Sequence, residues 1–296
     1  MVSEILAGER KKFIMMVGAG VLVVLAFVYA CFIIWDSVHV RRVAAEYAEA
    51  VANSDWEAVF SEPDEKIPLH TFDKSLITTD ENGYRIYREN GVKTSLTGID
   101  VSKWNEDIDW EQVRNAGIEF VMIRIGNSKL NSGEITLDPR YEEYIEGAQA
   151  AGLKVGVYYY SQAVTVEEAL KEAQFCIENL AGRDITFPVV FDTERYDGSS
   201  RADVIEKDLR TDIAVAFLNR IKDAGYIPAV YMNTSWSLTA VDLERLTEYD
   251  LWYAYYGEEL YWPYRFTMWQ YTDKASVPGI KGNTDLNIAF IDYSAR

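Results

Sequence analysis

Histidine and cysteine are almost absent from this chain of 296 residues. The only histidines are His39 and His70, and the only cysteines are Cys31 and Cys176. The region after residue 90 therefore has no Ser-His-Asp triad, no Cys-His pair and no histidine-bearing zinc site. If the protein is an enzyme without a cofactor, its acid–base groups are carboxylates, with tyrosine assisting. We expect no metal ion, no cofactor and no disulfide, since Cys31 lies in an apolar segment and Cys176 in a predicted helix.

Positive charge is also scarce. The chain has 29 lysines and arginines against 47 aspartates and glutamates, which gives a formal net charge of −18. Nucleic acid is therefore not an expected partner, because phosphate binding requires clustered basic side chains. A glycine-rich phosphate loop is missing as well. The first predicted strand runs through Gly98 to Ser102 without the dinucleotide fingerprint, which argues against a Rossmann enzyme.

The N-terminal region contains a long apolar run. Residues 1–12 are polar with a basic cluster at 10–12, and Phe13 to Trp35 then contains no charged residue over 23 positions. As a helix this run is about 34 Å long, which is enough to cross a bilayer core. We predict a transmembrane helix over 13–35, with a cleaved signal peptide as the alternative. The basic cluster predicts a cytoplasmic N-terminus and an extracellular remainder, although Arg41 and Arg42 on the other side weaken that prediction.

Residues 36–95 are predicted to connect the membrane helix to the main domain. Val43 to Phe60 has the apolar spacing of an amphipathic helix, and Ser61 to about Glu81 is polar and resembles a linker or stalk. Tyr84 to Thr94 is typical of a small hairpin with an Asn90-Gly91 turn.

From residue 96 to residue 296 predicted strands and helices alternate, and the last strands have little helix between them. This rhythm favours a parallel α/β barrel or an open doubly wound sheet. The predicted strands are Thr97–Val101, Phe120–Ile125, Lys154–Tyr160, Phe187–Asp192, Ile227–Met232, Leu251–Tyr256, Phe266–Tyr271 and Leu286–Ile291.

Carboxylates stand at the ends of several of these strands. Phe187 to Phe191 is an apolar run typical of a strand buried on both faces, and it is followed by Asp192 and Glu194. Two acids at this spacing point to the same side of an extended chain, where each raises the pKa of the other. Asp100 ends the first strand, and Asp285 precedes or begins the last one. Taken singly, each acid is equally consistent with a helix cap, a turn or a salt bridge.

Aromatic and amide side chains accompany these acids on the predicted strands. Acids surrounded by tyrosine and tryptophan are typical of a carbohydrate cleft, since aromatic faces stack on sugar rings and carboxylates catalyse acetal hydrolysis. Ordinary core packing is the alternative for each aromatic residue. The candidate substrate-binding residues are Tyr158, Tyr160, Tyr231, Trp252 and Gln270.

Four motifs resemble those of glycoside hydrolase family 25, the Chalaropsis-type lysozymes. They are Gly98 to Trp110, the strand Phe187 to Glu194, Trp269 to Tyr271, and Gly279 to Asn287. The resemblance covers roughly residues 96–292 and implies an irregular (β/α)5(β)3 TIM-like barrel. It also implies N-acetylmuramidase activity on the β-1,4 bond between N-acetylmuramic acid and N-acetylglucosamine in peptidoglycan. Many members carry a histidine on the third strand, where this chain has Tyr158 to Tyr160.

The resemblance also suggests roles for the acids. We expect Glu194 to be the general acid and base and Asp192 to orient the 2-acetamido group of the substrate, which gives a retaining, substrate-assisted route. An inverting route in which Asp100 or Asp285 activates water stays open. Two other functions also stay open, a catalytically inactive membrane-anchored glycan-binding or scaffold protein and a hydrolase of another aminosugar polymer such as chitin.

Overall fold

The computed structural model of the protein describes residues 56–195 and 198–295. The predicted membrane helix over 13–35 lies outside these residues, as does most of the predicted amphipathic helix. Within the described part of the chain, no helix combines the length and apolarity needed to cross a membrane.

An N-terminal extension, residues 56–95, precedes the main sheet. It contains the short helix α1 (Trp56–Val59) and an antiparallel sheet of β1 (Ile77–Thr79), β2 (Arg85–Glu89) and β3 (Val92–Lys93). The predicted hairpin is confirmed, because β2 and β3 pair directly across Asn90 and Gly91. Both turn residues have positive φ, 51° and 81°, which is the geometry of a type I′ turn and explains the Asn-Gly sequence.

The main domain is a closed barrel of eight strands with helices on its outside. Its strands, with the short β6 that extends the end of β5, are β4 (Leu96–Val101), β5 (Phe120–Ser128), β6 (Ile135–Leu137), β7 (Lys154–Tyr160), β8 (Val189–Asp192), β9 (Pro228–Asn233), β10 (Asp250–Ala254), β11 (Met268–Ala275) and β12 (Thr284–Ala289). The helices are α2 (Trp110–Asn115), α3 (Tyr141–Ala150), α4 (Val166–Leu180), α5 (Lys207–Asp223) and α6 (Thr234–Thr239). The predicted strands are all present and differ only at their ends.

Pairing between β4 and β5 closes the sheet and rules out the open doubly wound alternative. The barrel strands β4, β5 and β7 through β11 pair in parallel, whereas β12 is antiparallel to both β11 and β4 and the short β6 is antiparallel to β5. The five β/α units followed by three strands agree with the predicted order of elements, in which the last strands have little helix between them.

Two apolar cores follow from the alternation of side chains along the strands. Inside the barrel, Phe120, Met122, Phe187, Trp252 and Met268 belong to one cluster of buried side chains. A larger cluster lies outside the barrel wall, between the strands and the helices. The interior cluster closes the barrel centre, so a ligand can enter only at an end.

Two of the helices begin after a side-chain cap, and three are followed by a glycine. Asp109 accepts the backbone N–H of Gln112 at 3.0 Å before α2, and Thr165 accepts that of Glu168 at 3.2 Å before α4. The glycines that follow helices have positive φ, as left-handed C-terminal caps require: Gly152 (80°), Gly182 (79°) and Gly225 (87°).

The segment from Ser61 to Glu81 differs from the predicted linker, because it packs on the barrel. Phe72 stacks on Phe290 with ring centroids 4.2 Å apart and contacts Phe266 edge-on at 5.0 Å. Its polar composition misled the prediction, since a few aromatic residues carry the contact. The structure does not separate the extension from the barrel, and both belong to one compact unit.

Candidate active site

The predicted site residues meet at the C-terminal end of the parallel strands. Asp285 lies opposite Asp100 in the pairing of β12 with β4, and Asp192 lies between Tyr160 of β7 and Tyr231 of β9. Trp252 and Gln270 both face inward but at different depths, because Trp252 pairs with Met268 and Gln270 pairs with Ala254, two residues nearer the C-terminal end of β10. The alternation along the strands brings these side chains inside, and their position along the strand places apolar ones at the barrel centre and polar ones at its mouth.

Asp100 is the centre of a hydrogen-bond network. Its Oδ2 accepts from Gln270 Nε2 and from Asn287 Nδ2, each at 2.8 Å. Gln270 Oε1 in turn accepts the hydroxyls of Tyr231 at 2.8 Å and Tyr256 at 2.7 Å. Because both hydroxyls occupy the amide oxygen, the amide nitrogen must point at Asp100.

The second amide is oriented in the same way. Trp252 Nε1, which can only donate, is 2.8 Å from Asn287 Oδ1, and this fixes Asn287 Nδ2 on Asp100. Trp252 is only 1% exposed and therefore offers no ring face to a sugar. The barrel-filling alternative describes this residue best, with an added role in positioning Asn287.

One carboxylate oxygen of Asp192 is buried without a hydrogen bond. The residue is 6% exposed, and among the described residues its Oδ1 has no hydrogen-bond partner. Leaving a buried acceptor unpaired is destabilising, and such exceptions are rare in folded proteins. The arrangement is suited to a ligand that brings an N–H or O–H donor.

Burial raises the pKa of both acids at the end of β8. For Asp192 burial is the main cause of a pKa well above its usual range, followed by the charges of Glu194 and Asp100, while Arg124 opposes the shift. The pKa of Glu194 is raised mainly by burial and further by the charge of Asp100, against its polar contact with Tyr231. The predicted repulsion between Asp192 and Glu194 is present, and the charge of Asp100 adds to it.

The two remaining acids are also perturbed. Burial raises the pKa of Asp100 to about 6, against the hydrogen bonds from Asn287 and Gln270. Burial and the charge of Asp100 raise the pKa of Asp285 to about 9. The four carboxyls, of which Asp100 and Asp192 are buried and Glu194 and Asp285 half-buried, therefore hold their protons to a higher pH than isolated carboxyls do.

Arg124 on β5 is a site residue that the sequence analysis missed. Its Nε and Nη2 donate to Asp138 Oδ2 at 2.9 and 2.7 Å, and its charge opposes the rise in the pKa of Asp192. A signal was available in the sequence, since Arg124 is the one charged residue in the apolar run Phe120 to Ile125. Asn287 and Tyr256 were also given no role, although both fall at inward positions.

The tyrosines of β7 occupy different surroundings. Tyr158 faces the acids, since the charges of Asp100, Asp192 and Asp285 all act on its hydroxyl. Tyr160 instead lines a groove of about 430 Å³ beside the acids, together with Arg124 and Trp104. Trp104 is 75% exposed, and Lys103 Nζ lies 4.8 Å from its ring centroid, which leaves the opposite face to stack on a sugar. It too was missed, although it lies in the first motif.

Within 56–195 and 198–295, no group of three or more His, Cys, Asp or Glu side chains has an arrangement that could hold a metal ion. At the barrel mouth, Asp100 instead accepts hydrogen bonds from the amides of Gln270 and Asn287.

Asp285→Asn is expected to stabilise the fold at pH 8 and to have less effect at pH 4. A carboxyl whose pKa rises on folding holds its proton more tightly in the folded state. Its favourable contribution is complete below the unfolded pKa of about 4 and is lost as the pH rises towards the folded value of about 9. Asparagine has no such proton to lose, so we expect a gain of about 1–3 kcal/mol at pH 8 in thermal unfolding.

The matched control for this measurement is Asp184→Asn, at an exposed position between α4 and β8. It should change the melting temperature little, and equally at both pH values. A gain for Asp285→Asn that does not depend on pH would contradict the assignment of a half-buried, protonated carboxyl.

The chain is similar in sequence to one family of known proteins. The sequence model described as "Glycosyl hydrolases family 25" matches residues 99–280, more than half of the chain. The protein YegX of Escherichia coli (strain K12) is 27% identical over 217 residues, covering 70% of this chain and 75% of YegX. An autolytic lysozyme of Clostridium acetobutylicum is 28% identical over 193 residues, covering 65% of this chain and 55% of the lysozyme.

The crystal structure of the CTP1L endolysin is similar in fold, with a TM-score of 0.54 and 27% identity, and the match covers 65% of each chain. The chain thus spans about two thirds of that endolysin and about half of the autolytic lysozyme. The family match includes Asp100, Asp192 and Glu194 and ends before Asp285. The chain therefore belongs to glycosyl hydrolases family 25 and is a glycoside hydrolase.

Proposed function

We propose that the protein is a lysozyme, an N-acetylmuramidase that hydrolyses the β-1,4 bond between N-acetylmuramic acid and N-acetylglucosamine in peptidoglycan. The observation that carries this proposal is the pair at the end of β8, in which Glu194 has a raised pKa and Asp192 has an unpaired, buried Oδ1. Similarity to the autolytic lysozyme of Clostridium acetobutylicum supports peptidoglycan as the substrate.

Glu194 is the general acid in this proposal. Its raised pKa favours the protonated form, which can donate to the glycosidic oxygen. As that proton is transferred, the bond between the anomeric carbon and the oxygen breaks and its electron pair goes to the leaving sugar. Glu194, now ionised, then removes a proton from the water that attacks the anomeric carbon.

Asp192 binds the substrate's 2-acetamido group. The acetamido N–H satisfies Oδ1, and the acetamido carbonyl oxygen attacks the anomeric carbon to form a cyclic intermediate with inversion. Water then opens this ring with a second inversion, so that the configuration is retained overall. A hydrogen bond from this N–H stabilises the ionised form of Asp192 and so lowers its pKa. The proton held by the coupled pair then resides on Glu194, so that substrate binding itself prepares the acid.

Asp100 is a fixed negative charge beside the pair. Two amide donors hold its Oδ2 in one position, and its pKa of about 6 leaves it largely ionised at neutral pH. A carboxylate held in this way is suited to stabilising positive charge on the sugar, which is the role that we assign to it in the retaining route.

Glu194→Gln is expected to lower turnover of purified peptidoglycan by about 10²- to 10⁴-fold without loss of folding, because glutamine cannot donate the proton. The products are reduced with borohydride and the new reducing end is identified by mass spectrometry. Wild-type protein should release reduced muramic acid.

Three other outcomes distinguish the alternatives. Cleavage of chitin in preference to peptidoglycan would indicate a different aminosugar substrate. Binding without release by the folded wild type would indicate a glycan-binding protein. Full activity of Glu194→Gln would remove Glu194 from the chemistry.

The retaining route has its own test. The first product formed should be the β-anomer, recorded by NMR before mutarotation, because two inversions at one carbon restore its configuration. Glycan whose muramic acid lacks the N-acetyl group should not be cleaved, since it has no carbonyl oxygen to attack. A first product in the α configuration would establish the inverting route.

The apolar run over 13–35 is proposed to anchor the protein in the cell membrane, with its N-terminus in the cytoplasm and the barrel outside the cell. The bilayer would then be a partner, and the tether would confine hydrolysis to wall close to the membrane. The support for this proposal is the uncharged length of the run and the basic cluster before it.

The full chain should pellet with membranes after carbonate extraction, whereas a Leu22→Arg, Leu25→Arg variant should be extracted, because a charge at the centre of a membrane helix costs about 2.5–3.5 kcal/mol. Protease added outside intact spheroplasts should digest the barrel and spare an N-terminal tag. Protection of the barrel would reverse the proposed orientation.

A further inference from the structure

The loop between β10 and β11 is held from outside by the N-terminal extension. Lys74 Nζ donates to the carbonyl of Leu260 at 2.8 Å, and the backbone N–H of Arg265 donates to the carbonyl of Pro68 at 2.7 Å. The N–H of His70 donates to the carbonyl of Pro263 at 3.0 Å. These contacts join segments that are nearly 200 positions apart in the sequence.

Arg85 makes the contact nearest to the catalytic residues. Its Nη2 donates to the carbonyl of Gly257 and its Nη1 to that of Glu258, both at 3.2 Å. The guanidinium lies 4.5 Å from the ring centroid of Trp269 and 5.5 Å from that of Tyr271. The two rings and the two carbonyls fix the orientation of the guanidinium. Of the basic side chains, only arginine can stack on rings and donate hydrogen bonds in a fixed geometry at the same time.

The residue before these carbonyls is Tyr256, whose hydroxyl donates to Gln270 Oε1 at 2.7 Å. Gln270 Nε2 then donates to Asp100 at 2.8 Å. Tyr256 is 50% exposed, so packing in the barrel does not by itself hold its ring in place. A continuous series of contacts therefore leads from Arg85 through the loop to the carboxylate at the centre of the site.

We propose that Arg85 is a positioning residue for the hydrolytic reaction, which acts by holding the Tyr256 loop so that Gln270 stays hydrogen-bonded to Asp100. The N-terminal extension, which precedes the region matched by the family, is then part of the working site. The inference that Arg85 affects hydrolysis rests on the proposed function. The inference that Arg85 is coupled to Asp100 through the Tyr256 loop does not.

The proposal predicts a specific electrostatic effect. The hydrogen bond from Gln270 lowers the pKa of Asp100, so loosening it should raise that pKa further. Other charged or titratable groups act on the same space and are unchanged by the substitution. They are Asp192, Glu194, Asp285, Tyr158, Tyr231 and Arg124.

The experiment compares the full wild-type chain with Arg85→Gln, Tyr256→Phe and the double variant. Titration of the Asp100 carboxyl is followed by ¹³C NMR, with its signal assigned from Asp100→Asn. Arg85→Gln should raise the midpoint by about half a pH unit, in the same direction as Tyr256→Phe. In peptidoglycan turnover, kcat should fall about threefold to tenfold.

The double variant should be little worse than Tyr256→Phe alone, because both changes break the same series of contacts. Arg88→Gln is the matched control, since Arg88 is an exposed arginine on the same strand. It should change neither the midpoint nor kcat.

A lower melting temperature for Arg85→Gln with an unchanged Asp100 midpoint would overturn the proposal, as would losses in kcat that multiply in the double variant. The NMR readout requires no turnover. If wild type does not cleave peptidoglycan but the midpoint shifts, the proposed function fails and the coupling of Arg85 to Asp100 stands.

Discussion

Placing several carboxylates in one buried space is the constraint on which the rest of the structure depends. Asp100, Asp192, Glu194 and Asp285 share the barrel mouth, and the arginine beside them already donates to Asp138. Ion pairing therefore cannot neutralise the group. The protein instead uses oriented amides, hydroxyls and retained protons, and each of these requires a framework that does not relax.

The barrel supplies that framework, because side chains alternate between its interior and its outer face along each strand. Much of this was predictable from the sequence, because strand alternation and the acids that end strands are local signals. The network around Asp100 was not, since its amide donors come from residues 170 and 187 positions away. Arg124 and Tyr256 could have been selected from their inward positions, but their partners are known only once the barrel is closed.

The roles of aromatic residues are a second feature that the sequence does not predict. Trp104 and Trp252 have the same chemistry, yet one is 75% exposed beside the acids and the other 1% exposed inside the barrel. The strand pattern marks Trp252 as inward-facing, and an inward side chain is equally suited to filling the barrel or to contacting a sugar. Only the depth at which it lies decides between these roles.

The irregular half of the barrel explains why the N-terminal extension is needed. Each strand of a barrel must be covered on its outer face, and the antiparallel end of this one has no helix between β11 and β12 to do so. Trp269 and Tyr271 of β11 share their buried cluster with Tyr84 and Tyr87 of the extension. The segment that covers this face is also the one that holds the loop after β10, so the covering of the barrel and the alignment of its site depend on the same residues. A chain cut at the start of the family match would therefore expose apolar surface and release the Tyr256 loop together.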